Sequence, residues 1–563
     1  MTGHDWLEIG LYFAVLAALT PGLGAYLARV FDEKRKVCVP PLNMLERILY
    51  RIGGVNAWEE MSARQYAVNL LWFNGLGLLL LLALQLGQSR LPLNPQKLPD
   101  VPFWLALNTA VSFTTNTNWQ AYSGETTLGY FVQSLGLTVQ NFLSAATGLC
   151  VLLAVIRGFT RQTVKTVGNF WSDLVRATVY VLLPLALMWA FVLASQGVVQ
   201  SWRAYSSAVT PIGSQQAIPL GPAASQVAIK QLGTNGGGFF GANSCHPFEN
   251  PTPLSNFLEM LAILLIPSSL VIAYGRLVGD KRQGRMIWTV MMLLLVSGFC
   301  VAMHFECLPN AVAGFSPSME GRELRFGAGN SVLWSVATTC ASNGSVNAMI
   351  GSESPLTGGI AVFNIMLGEV IFGGVGVGLT SMLVFVFISV FIAGLMVGRT
   401  PEYLGKKIEA HEIKMAMIAV LIPNAMILAG TALAVSIPSG LAGRTIAGPH
   451  GLSEILYAFT SASGNNGSAF AGLKANTPFY NVVLSLSMLF GRLAALLPLL
   501  AIAGSLVTKQ CIPNSAGTLR TDTALFACIL IGVILIVGAL TFFPVLCLGP
   551  ILEQMLLASG KLF

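Results

Sequence analysis

Residues Gly233–Gly236, with the sequence GTNG, form a short polar stretch between two strongly apolar segments. The chain repeats this pattern three more times, as TNTN at Thr115–Asn118, ASNG at Ala341–Gly344 and GNNG at Gly464–Gly467. We number these stretches loops 1 to 4 in chain order, so that GTNG is loop 2. Their last residues lie 118, 108 and 123 positions apart. A single chain that repeats a loop at such spacing can arrange the four copies around one axis.

The composition places these loops in a membrane protein. Only 10% of the 563 residues are charged, 54% are hydrophobic, and the mean hydropathy is +0.70. Because a soluble protein carries about 25% charged residues, this chain has too few charges to cover a water-exposed surface. The net charge of +7 does not indicate a nucleic-acid partner, since the basic residues lie between apolar segments rather than on one soluble face.

Ten apolar segments are long enough to cross the membrane, for which a helix needs roughly 17–25 residues. The seventh exceeds one straight crossing, and the closely spaced glycines of Gly373–Gly378 predict a break in its helix. The ten segments are Ile9–Val30, Tyr66–Leu86, Phe131–Ile156, Ala177–Leu193, Phe257–Tyr274, Met286–Phe305, Ile360–Val397, Met415–Ile437, Val482–Ala503 and Ala524–Leu546.

A shorter, moderately apolar segment precedes each polar loop. These segments are Phe103–Phe113, Ala223–Leu232, Asn330–Thr339 and Ser453–Thr460. A helix of about ten residues reaches only half the bilayer, and the non-helical chain that follows it is tolerated at membrane depth only around a cavity or inside protein. The predicted fold is therefore an all-α polytopic membrane protein with about ten transmembrane helices. Four helix–pore-helix–filter–helix repeats surround one pseudo-four-fold pore, and two further helices lie outside the repeats.

The basic residues predict the orientation of this single membrane domain, residues 1–563. If the loops face outward, the inner segments hold 21 of the 31 Lys and Arg residues and the outer segments hold nine, with Arg492 inside a span. This asymmetry agrees with the positive-inside rule and places both termini outside. The predicted units are the first span with its cytoplasmic loop (1–63), repeats 1 to 4 (64–157, 171–276, 285–398 and 411–504), and the last span with the C-terminus (520–563).

The loop residues are Thr, Asn, Ser and Gly, without Asp or Glu. Neutral oxygens that replace a hydration shell suit a monovalent cation, as in a potassium selectivity filter. Asn118 occupies the position at which the other loops have glycine, and Asn tolerates left-handed backbone nearly as well. One such stretch alone is typical of an exterior turn. Four at regular spacing, each after a half-length helix, favour the filter.

Longer motifs resemble a known family. They are TTNTNWQAYSGE (Thr114–Glu125), LGTNGGGFFGANSCHPFENP (Leu232–Pro251), GEVIFGGVGVGL (Gly368–Leu379), FIAGLMVGRTPEYLGKK (Phe391–Lys407) and TSASGNNGSAFAGL (Thr460–Leu473). They are similar to the potassium-binding A subunit of the Kdp-type potassium-transporting ATPase, over essentially the whole chain. That family belongs to the superfamily of potassium transporters that resemble a fused tetrameric potassium channel.

The resemblance implies a bacterial inner-membrane subunit whose filter faces the periplasm and passes K⁺ through an internal tunnel to an ATPase. It implies three partners, namely a P-type ATPase catalytic subunit, a C subunit and a small F subunit, together with membrane lipid. K⁺ is the transported ion, and no organic cofactor is expected. Gln120 and Gly236 match positions that shape selectivity in the family. The expected K⁺-binding residues are Asn116, Thr117, Asn118, Thr234, Asn235, Gly236, Ser342, Asn343, Gly344, Asn465, Asn466 and Gly467.

Selectivity and gating are assigned to Gln120, Glu369, Gly374 and Arg492. A charge at the position of Arg492 costs roughly 2.5–3.5 kcal/mol on insertion scales, so it is expected to face the interior. It either blocks straight passage below the filter or forms a structural ion pair with Glu369. The glycine-rich break around Gly374 is either a gating loop, as the resemblance suggests, or a site of close helix packing.

The sequence contains no Walker lysine, no DKTGT phosphorylation segment and no Ser-His-Asp arrangement. We therefore expect no catalytic site in this chain itself. The alternative function is a free-standing K⁺ channel or symporter of the same superfamily, since either would need the same filter. A purely structural scaffold leaves the four repeated loops unexplained.

Overall fold

The structure is a computed structural model that describes residues 3–32, 39–310, 312, 314, 317–513 and 518–561. Lys34, Arg35 and Lys36, which contribute to the predicted orientation, lie outside these residues. Within the described ranges, ten helices are long and apolar enough to cross a membrane, which confirms the predicted number. They are Gly3–Phe31, Ala63–Leu86, Val132–Thr160, Phe170–Ser195, Pro253–Leu277, Lys281–Glu306, Val377–Val397, Ala410–Ser436, Pro478–Leu506 and Ala524–Ala558.

A half-length helix ends at each polar loop, as predicted. These four pore helices are Phe103–Thr114, Ala223–Leu232, Gly327–Cys340 and Gly448–Ser463. The fourth begins five residues before the predicted Ser453. Pro449 occupies its first turn, where the missing N–H would have had no intrahelical partner. A proline in the sequence therefore marks the start of this helix rather than a break before it.

The seventh apolar segment is a broken helix, as its glycines predicted. One half is Pro355–Met366 and the other is Val377–Val397, with non-helical chain at 367–376 between them. Glu369 and Phe372 within this break have φ of +62° and +64°. Left-handed backbone at non-glycine residues costs about 1–3 kcal/mol each, so the surrounding packing must hold the break in this shape.

The fourth spanning helix begins seven residues before the predicted Ala177 because its polar first turns are paired inside the protein. Asp173 lies 2.6 Å from the Arg157 guanidinium and accepts a hydrogen bond from the Tyr66 hydroxyl at 2.8 Å. Asn169 caps the helix by accepting from the Ser172 N–H. Hydropathy alone placed the start of the span after these polar side chains. Because the side chains have partners inside the protein, the helix begins before them.

The third and fifth spanning helices, Val132–Thr160 and Pro253–Leu277, are the most enclosed, and the first packs against the fifth. The second and eighth, Ala63–Leu86 and Ala410–Ser436, are mostly exposed at the periphery. The core therefore lies around the helices that follow loops 1 and 2. π-Helical turns occur in three of the spans, at Val132–Thr138, Ala177–Leu182 and Cys547–Ile551.

The remaining elements are short and connect the spans. Helix Pro40–Gly53, which was not predicted, exposes the apolar side chains of Met44, Ile48 and Ile52. Single turns lie at Gln88–Arg90, Gly124–Thr127, Asn243–Cys245, Ile350–Ser352 and Pro438–Leu441. Antiparallel strand pairs join Met61–Ser62 with Thr166–Gly168, Ser206–Val209 with Gln215–Ile218, and Glu402–Tyr403 with Lys406–Lys407.

Candidate functional site

The four polar loops share one backbone conformation although their sequences differ. In each, the N–H of the third residue donates to the carbonyl oxygen five residues earlier, at the end of the pore helix. The pairs are Thr117 with Ser112 (2.9 Å), Asn235 with Lys230 (2.9 Å), Asn343 with Thr338 (3.0 Å) and Asn466 with Ser461 (2.8 Å). The second residue of each loop is left-handed, with φ of +66° at Asn116, +51° at Thr234, +51° at Ser342 and +50° at Asn465. The loops are thus structurally equivalent.

These loops contact one another in chain order and close into a ring. The contacts are Asn116 Nδ2 to Thr234 O (3.1 Å), Gly344 N to Asn235 O (3.3 Å), Ser342 Oγ to Gly464 O (2.8 Å) and Asn465 Nδ2 to Thr117 Oγ1 (3.0 Å). The fourth contact returns to loop 1. A closed sequence of this kind places the four loops side by side around a common centre.

Loops 2, 3 and 4 each end in a glycine at which a side chain would have little room. A Cβ at Gly236 would overlap the backbone of Gly344, and a Cβ at Gly467 would overlap the Thr117 carbonyl oxygen. Both glycines also have positive φ, of +91° and +97°. Asn118 has φ of +55° and donates from Nδ2 to Asn141 Oδ1 at 2.8 Å. The asparagine in loop 1 therefore adopts the backbone that its sequence position suggested and gains a partner of its own.

Asparagine amides brace the ring from behind. Asn343 Nδ2 donates to Lys230 O and Asn466 Nδ2 donates to Thr338 O, both at 3.1 Å, so each reaches the pore helix of the preceding repeat. Asn235 Nδ2 donates to Asn116 Oδ1 at 2.6 Å. These side chains are buried and engaged with protein. Main-chain carbonyl oxygens, which every loop also carries, are the ligand type that substitutes for the hydration shell of K⁺.

The break in the seventh helix lies against this ring. Gly373 N donates to Cys340 O at 3.0 Å, and Val375 N donates to Thr234 Oγ1 at 2.9 Å. A Cβ at Gly374 would lie 3.5 Å from Glu369 Oε2 and 3.6 Å from Thr234 Oγ1. Glu369, Gly374 and loop 2 are therefore neighbours. A Cβ at Gly376 would overlap the backbone of the third span. The segment is therefore closely packed against a helix and also lies beside the ring, as each of the two alternatives for it requires.

Arg492, in the ninth span, lies next to loop 1 and is connected to it through Ser144. Its buried guanidinium donates from Nη2 to Ser144 O at 3.0 Å, and Ser144 Oγ donates to Asn116 Oδ1 at 2.8 Å. No salt bridge within 4.0 Å joins Arg492 to Glu369 in the described part of the chain. Glu369 Oε2 is buried and has no hydrogen-bond partner among the described residues. The direct ion pair, one of the two alternatives offered for Arg492, is therefore not formed among the described residues, although the two buried groups still lie close enough to interact electrostatically.

A small cavity of about 60 Å³ extends from this region toward the last span. Gly464 of loop 4 and Glu369 line one side of it, while Asn424, Gly491 and Gly538 come from the eighth, ninth and tenth spans. The lining residues of this cavity thus come from the seventh to tenth spans and from the chain around loop 4.

Comparison with known proteins places this architecture in a family. A family profile described as the potassium-transporting ATPase A subunit matches residues 10–555. The chain belongs to that family. A relative from Rhodospirillum centenum named potassium-transporting ATPase potassium-binding subunit is 58% identical over 569 residues, which cover 100% of this chain and 99% of the relative. A protein of the same name from Pseudomonas aeruginosa is 53% identical and covers 99% of both chains.

The fold of this A subunit family member also resembles a solved structure. The potassium transporter TrkH from Vibrio parahaemolyticus aligns with a TM-score of 0.53 over 88% of this chain and 96% of that one, at 15% sequence identity. At this identity the likeness concerns the fold alone. It supports the predicted arrangement of four pore-helix repeats.

Sequence reasoning missed one group behind the ring of this A subunit family member. Lys230 was counted among the basic residues of the outer segments, but it lies in the second pore helix and is fully buried, with its ammonium paired to Glu249. A lysine two residues from the end of a half-length apolar helix was the available signal, because a buried ammonium requires a partner.

The Gln120 side chain links the chain just after loop 1 to the chain just after loop 2. Its Nε2 donates to Gly238 O at 3.0 Å, and its Oε1 accepts from Gly238 N at 2.9 Å. The side chain therefore binds backbone on both of its polar atoms. Any effect on selectivity would act through the spacing of the two loops.

We expect Gln120→Ala to lower the apparent affinity of the assembled ATPase for K⁺. Loss of two hydrogen bonds worth about 1 kcal/mol each predicts a rise of roughly tenfold to thirtyfold in the K⁺ concentration for half-maximal ATP hydrolysis. Gln65→Ala is the control, because Gln65 also accepts from a backbone N–H, that of Ser62, but at a helix start far from the ring. An equal shift in both variants would contradict a local role for Gln120.

Proposed function

We propose that this chain is the potassium-binding and translocating membrane subunit of an ATP-driven K⁺ uptake system. The observation that carries the proposal is the closed ring of four equivalent loops. The family relatives that match over the full length are named as potassium-binding subunits of a potassium-transporting ATPase. Together these support K⁺ as the ion and an ATPase as the partner.

In this proposal the ring binds K⁺ by replacing part of its hydration shell. Left-handed residues at the second position of every loop turn successive carbonyl groups in a common direction, and the asparagine braces keep the ring from collapsing onto a smaller ion. The absence of Asp and Glu from all four loops keeps binding reversible, since carboxylates favour divalent cations. Binding and release, rather than bond chemistry, are the work of this subunit.

The exit route that we propose is lateral. Glu369 beside loop 2 offers a carboxylate to a cation that leaves the ring, while Arg492 beside loop 1 opposes movement straight through the membrane. The cavity between repeats 3 and 4 then leads K⁺ toward a partner subunit. We assign catalysis to that partner, a P-type ATPase subunit, with C and F subunits completing the complex. The ring and both termini would face the periplasm of a bacterial inner membrane.

The deciding experiment compares the chain alone with the complete complex in proteoliposomes. We expect K⁺-stimulated ATP hydrolysis and ATP-dependent K⁺ uptake only when the ATPase partner is present. Rapid K⁺ flux by the chain alone, driven by membrane potential and insensitive to ATP, would instead favour the free-standing channel or symporter. If K⁺ flux were unaffected by substitutions throughout the ring, both the ATPase subunit and the free-standing channel or symporter would be excluded.

A further inference from the structure

A buried ion pair lies directly behind loops 2 and 3. The Lys230 ammonium is completely buried and donates to Asn243 Oδ1 at 2.8 Å, to Ser244 Oγ at 2.9 Å and to a Glu249 carboxylate oxygen. The other oxygen of Glu249 accepts from Phe240 N at 2.8 Å. Each of the three ammonium protons therefore has an acceptor within protein.

Asn243 connects this ion pair to the ring. While its Oδ1 accepts from Lys230, its Nδ2 donates to the carbonyl oxygen of Gly236, the last residue of loop 2, at 2.7 Å. Only two hydrogen bonds thus separate the buried ammonium from a filter carbonyl. Asn243 has φ of +54°, so its backbone is held in the left-handed region to make both bonds.

The other three repeats use a small hydroxyl residue where repeat 2 has Lys230. The equivalent residues, five positions before the third residue of each loop, are Ser112, Thr338 and Ser461. In repeats 1 and 3 this hydroxyl donates directly to the carbonyl just after the loop, from Ser112 to Trp119 at 2.9 Å and from Thr338 to Ser345 at 2.8 Å. In repeat 2 the side chain at this position is charged and acts through Asn243, which reaches Gly236 O, one residue earlier than the carbonyl that the hydroxyl reaches in repeats 1 and 3.

A second branch of the same cluster reaches loop 3. Gln231 Nε2 donates to Glu259 Oε2 at 2.9 Å, and Gln231 Oε1 accepts from Ser345 Oγ at 2.9 Å and from Asn343 Nδ2 at 3.3 Å. Glu259 is completely buried in the fifth span. Because Ser244 Oγ also donates to Glu259 Oε2 at 2.9 Å, the Glu259 carboxyl group joins the cluster, and both loops that meet at Gly236 and Gly344 are tied to it.

We propose that Lys230 and Glu249, acting through Asn243, are positioning residues that fix the Gly236 carbonyl and thereby set the ion discrimination of the ring. The inference rests on the function proposed above and adds a determinant outside the four loops. A paired, fully hydrogen-bonded charge restricts motion more than a neutral contact, since charge-assisted hydrogen bonds are shorter and stronger. The second repeat would accordingly be the most rigid quarter of the ring.

The test uses Asn243→Gly and Lys230→Met in the complete complex. Glycine adopts the φ of Asn243 without strain and removes the link without changing charge. Methionine keeps most of the lysine volume and removes the ammonium. We expect the ratio of half-saturating Rb⁺ to half-saturating K⁺ for ATP hydrolysis to change by about fivefold, the effect of one lost hydrogen bond, with a larger change for Lys230→Met.

Lys406→Met is the matched control. Lys406 is also completely buried, and its ammonium donates to the carbonyl oxygens of Arg161 (2.7 Å), Leu506 (3.1 Å) and Lys509 (2.6 Å), none of which belongs to the ring. Its loss should lower the yield of assembled complex and leave the Rb⁺ to K⁺ ratio unchanged. The comparison separates loss of a buried ammonium in general from loss of the one behind loop 2.

The inference would be overturned if the ratio of half-saturating Rb⁺ to half-saturating K⁺ stayed unchanged in Asn243→Gly and in the Lys230→Met complex that does assemble. The ion pair would then have a purely structural role. Gly236→Ala, measured in parallel, distinguishes this result from failure of the proposed function. If Gly236→Ala shifts K⁺ dependence and the two network variants do not, only the inference fails. If none of the three shifts it, the ring itself is not the ion site.

Discussion

Gly236→Ala is expected to raise the K⁺ concentration for half-maximal ATP hydrolysis by roughly fivefold to 150-fold, as follows from about 1–3 kcal/mol of strain. The added Cβ would overlap the nitrogen and Cα of Gly344 in loop 3, and the φ of +91° is itself unfavourable for alanine. Loops 2 and 3 must then separate. Because the ring closes through every neighbouring pair, widening at one contact changes the distance between all carbonyl groups and the axis.

Discrimination should fall together with affinity in this variant. A wider ring fits K⁺ less well and loses its preference over other monovalent cations, so ATP hydrolysis stimulated by Rb⁺ or NH₄⁺ should approach that stimulated by K⁺. The measurement is the cation dependence of ATP hydrolysis by the purified complex, with assembly checked by size-exclusion chromatography.

Gly279→Ala provides the control for backbone strain. Gly279 has φ of +79°, it lies in the exposed turn between the fifth and sixth spans, and no atom stands within 4 Å of an added Cβ. It should lower stability without affecting cation dependence. An unaltered K⁺ response in Gly236→Ala would mean that loops 2 and 3 do not form part of the ion site.

The sequence was sufficient for the architecture because each feature depends on a local rule. Span number follows from apolar length, the half-helices follow from segments too short to cross, and the break near Gly374 follows from glycine density. The equivalence of the loops was also predictable, since four similar tetrapeptides occupy the same place in each repeat. The boundaries of the four repeats and the roles of individual site residues stay predictions.

Contacts between distant segments were not predictable in the same way. Lys230, Asn243 and Glu249 are close in sequence, but their function as a brace depends on the ring carbonyl that Asn243 reaches. The early start of the fourth span likewise depends on Arg157, which pairs with Asp173 from the preceding helix. In both cases a buried charge is stabilised by a partner. A hydropathy scale assigns each residue a transfer cost without regard to its partners, so it cannot predict such a site.

The same limitation applied to Arg492 and Glu369. Sequence reasoning identified both as intramembrane charges and offered a direct ion pair as one explanation. The structure gives Arg492 a carbonyl partner on the third span and leaves one Glu369 oxygen unpartnered among the described residues. The two groups still interact electrostatically with each other, and the proposed function assigns to both an electrostatic effect on an ion near the ring.

Arg492→Gln is expected to increase K⁺ leak through the complex in the absence of ATP. A cation passing about 8 Å from a unit charge, at an effective dielectric constant near 20, is repelled by about 2 kcal/mol, a factor of about 30 in rate. Glutamine removes this repulsion but keeps an N–H that can donate to Ser144 O. Leak is measured as K⁺ efflux from proteoliposomes that contain the complex, with and without an imposed membrane potential.

Two further substitutions distinguish charge from hydrogen bonding at this position. Arg492→Lys retains the positive charge and should keep leak near the wild-type level, whereas Arg492→Ala loses charge and donor and should leak at least as much as Arg492→Gln. If Arg492→Gln stays as tight as the wild type while Arg492→Ala fails to assemble, the guanidinium serves only to hold the ninth span against the third. A leak that tracks charge across the series would instead place the barrier to straight passage at Arg492, and K⁺ would have to leave the ring by the lateral cavity beside Glu369.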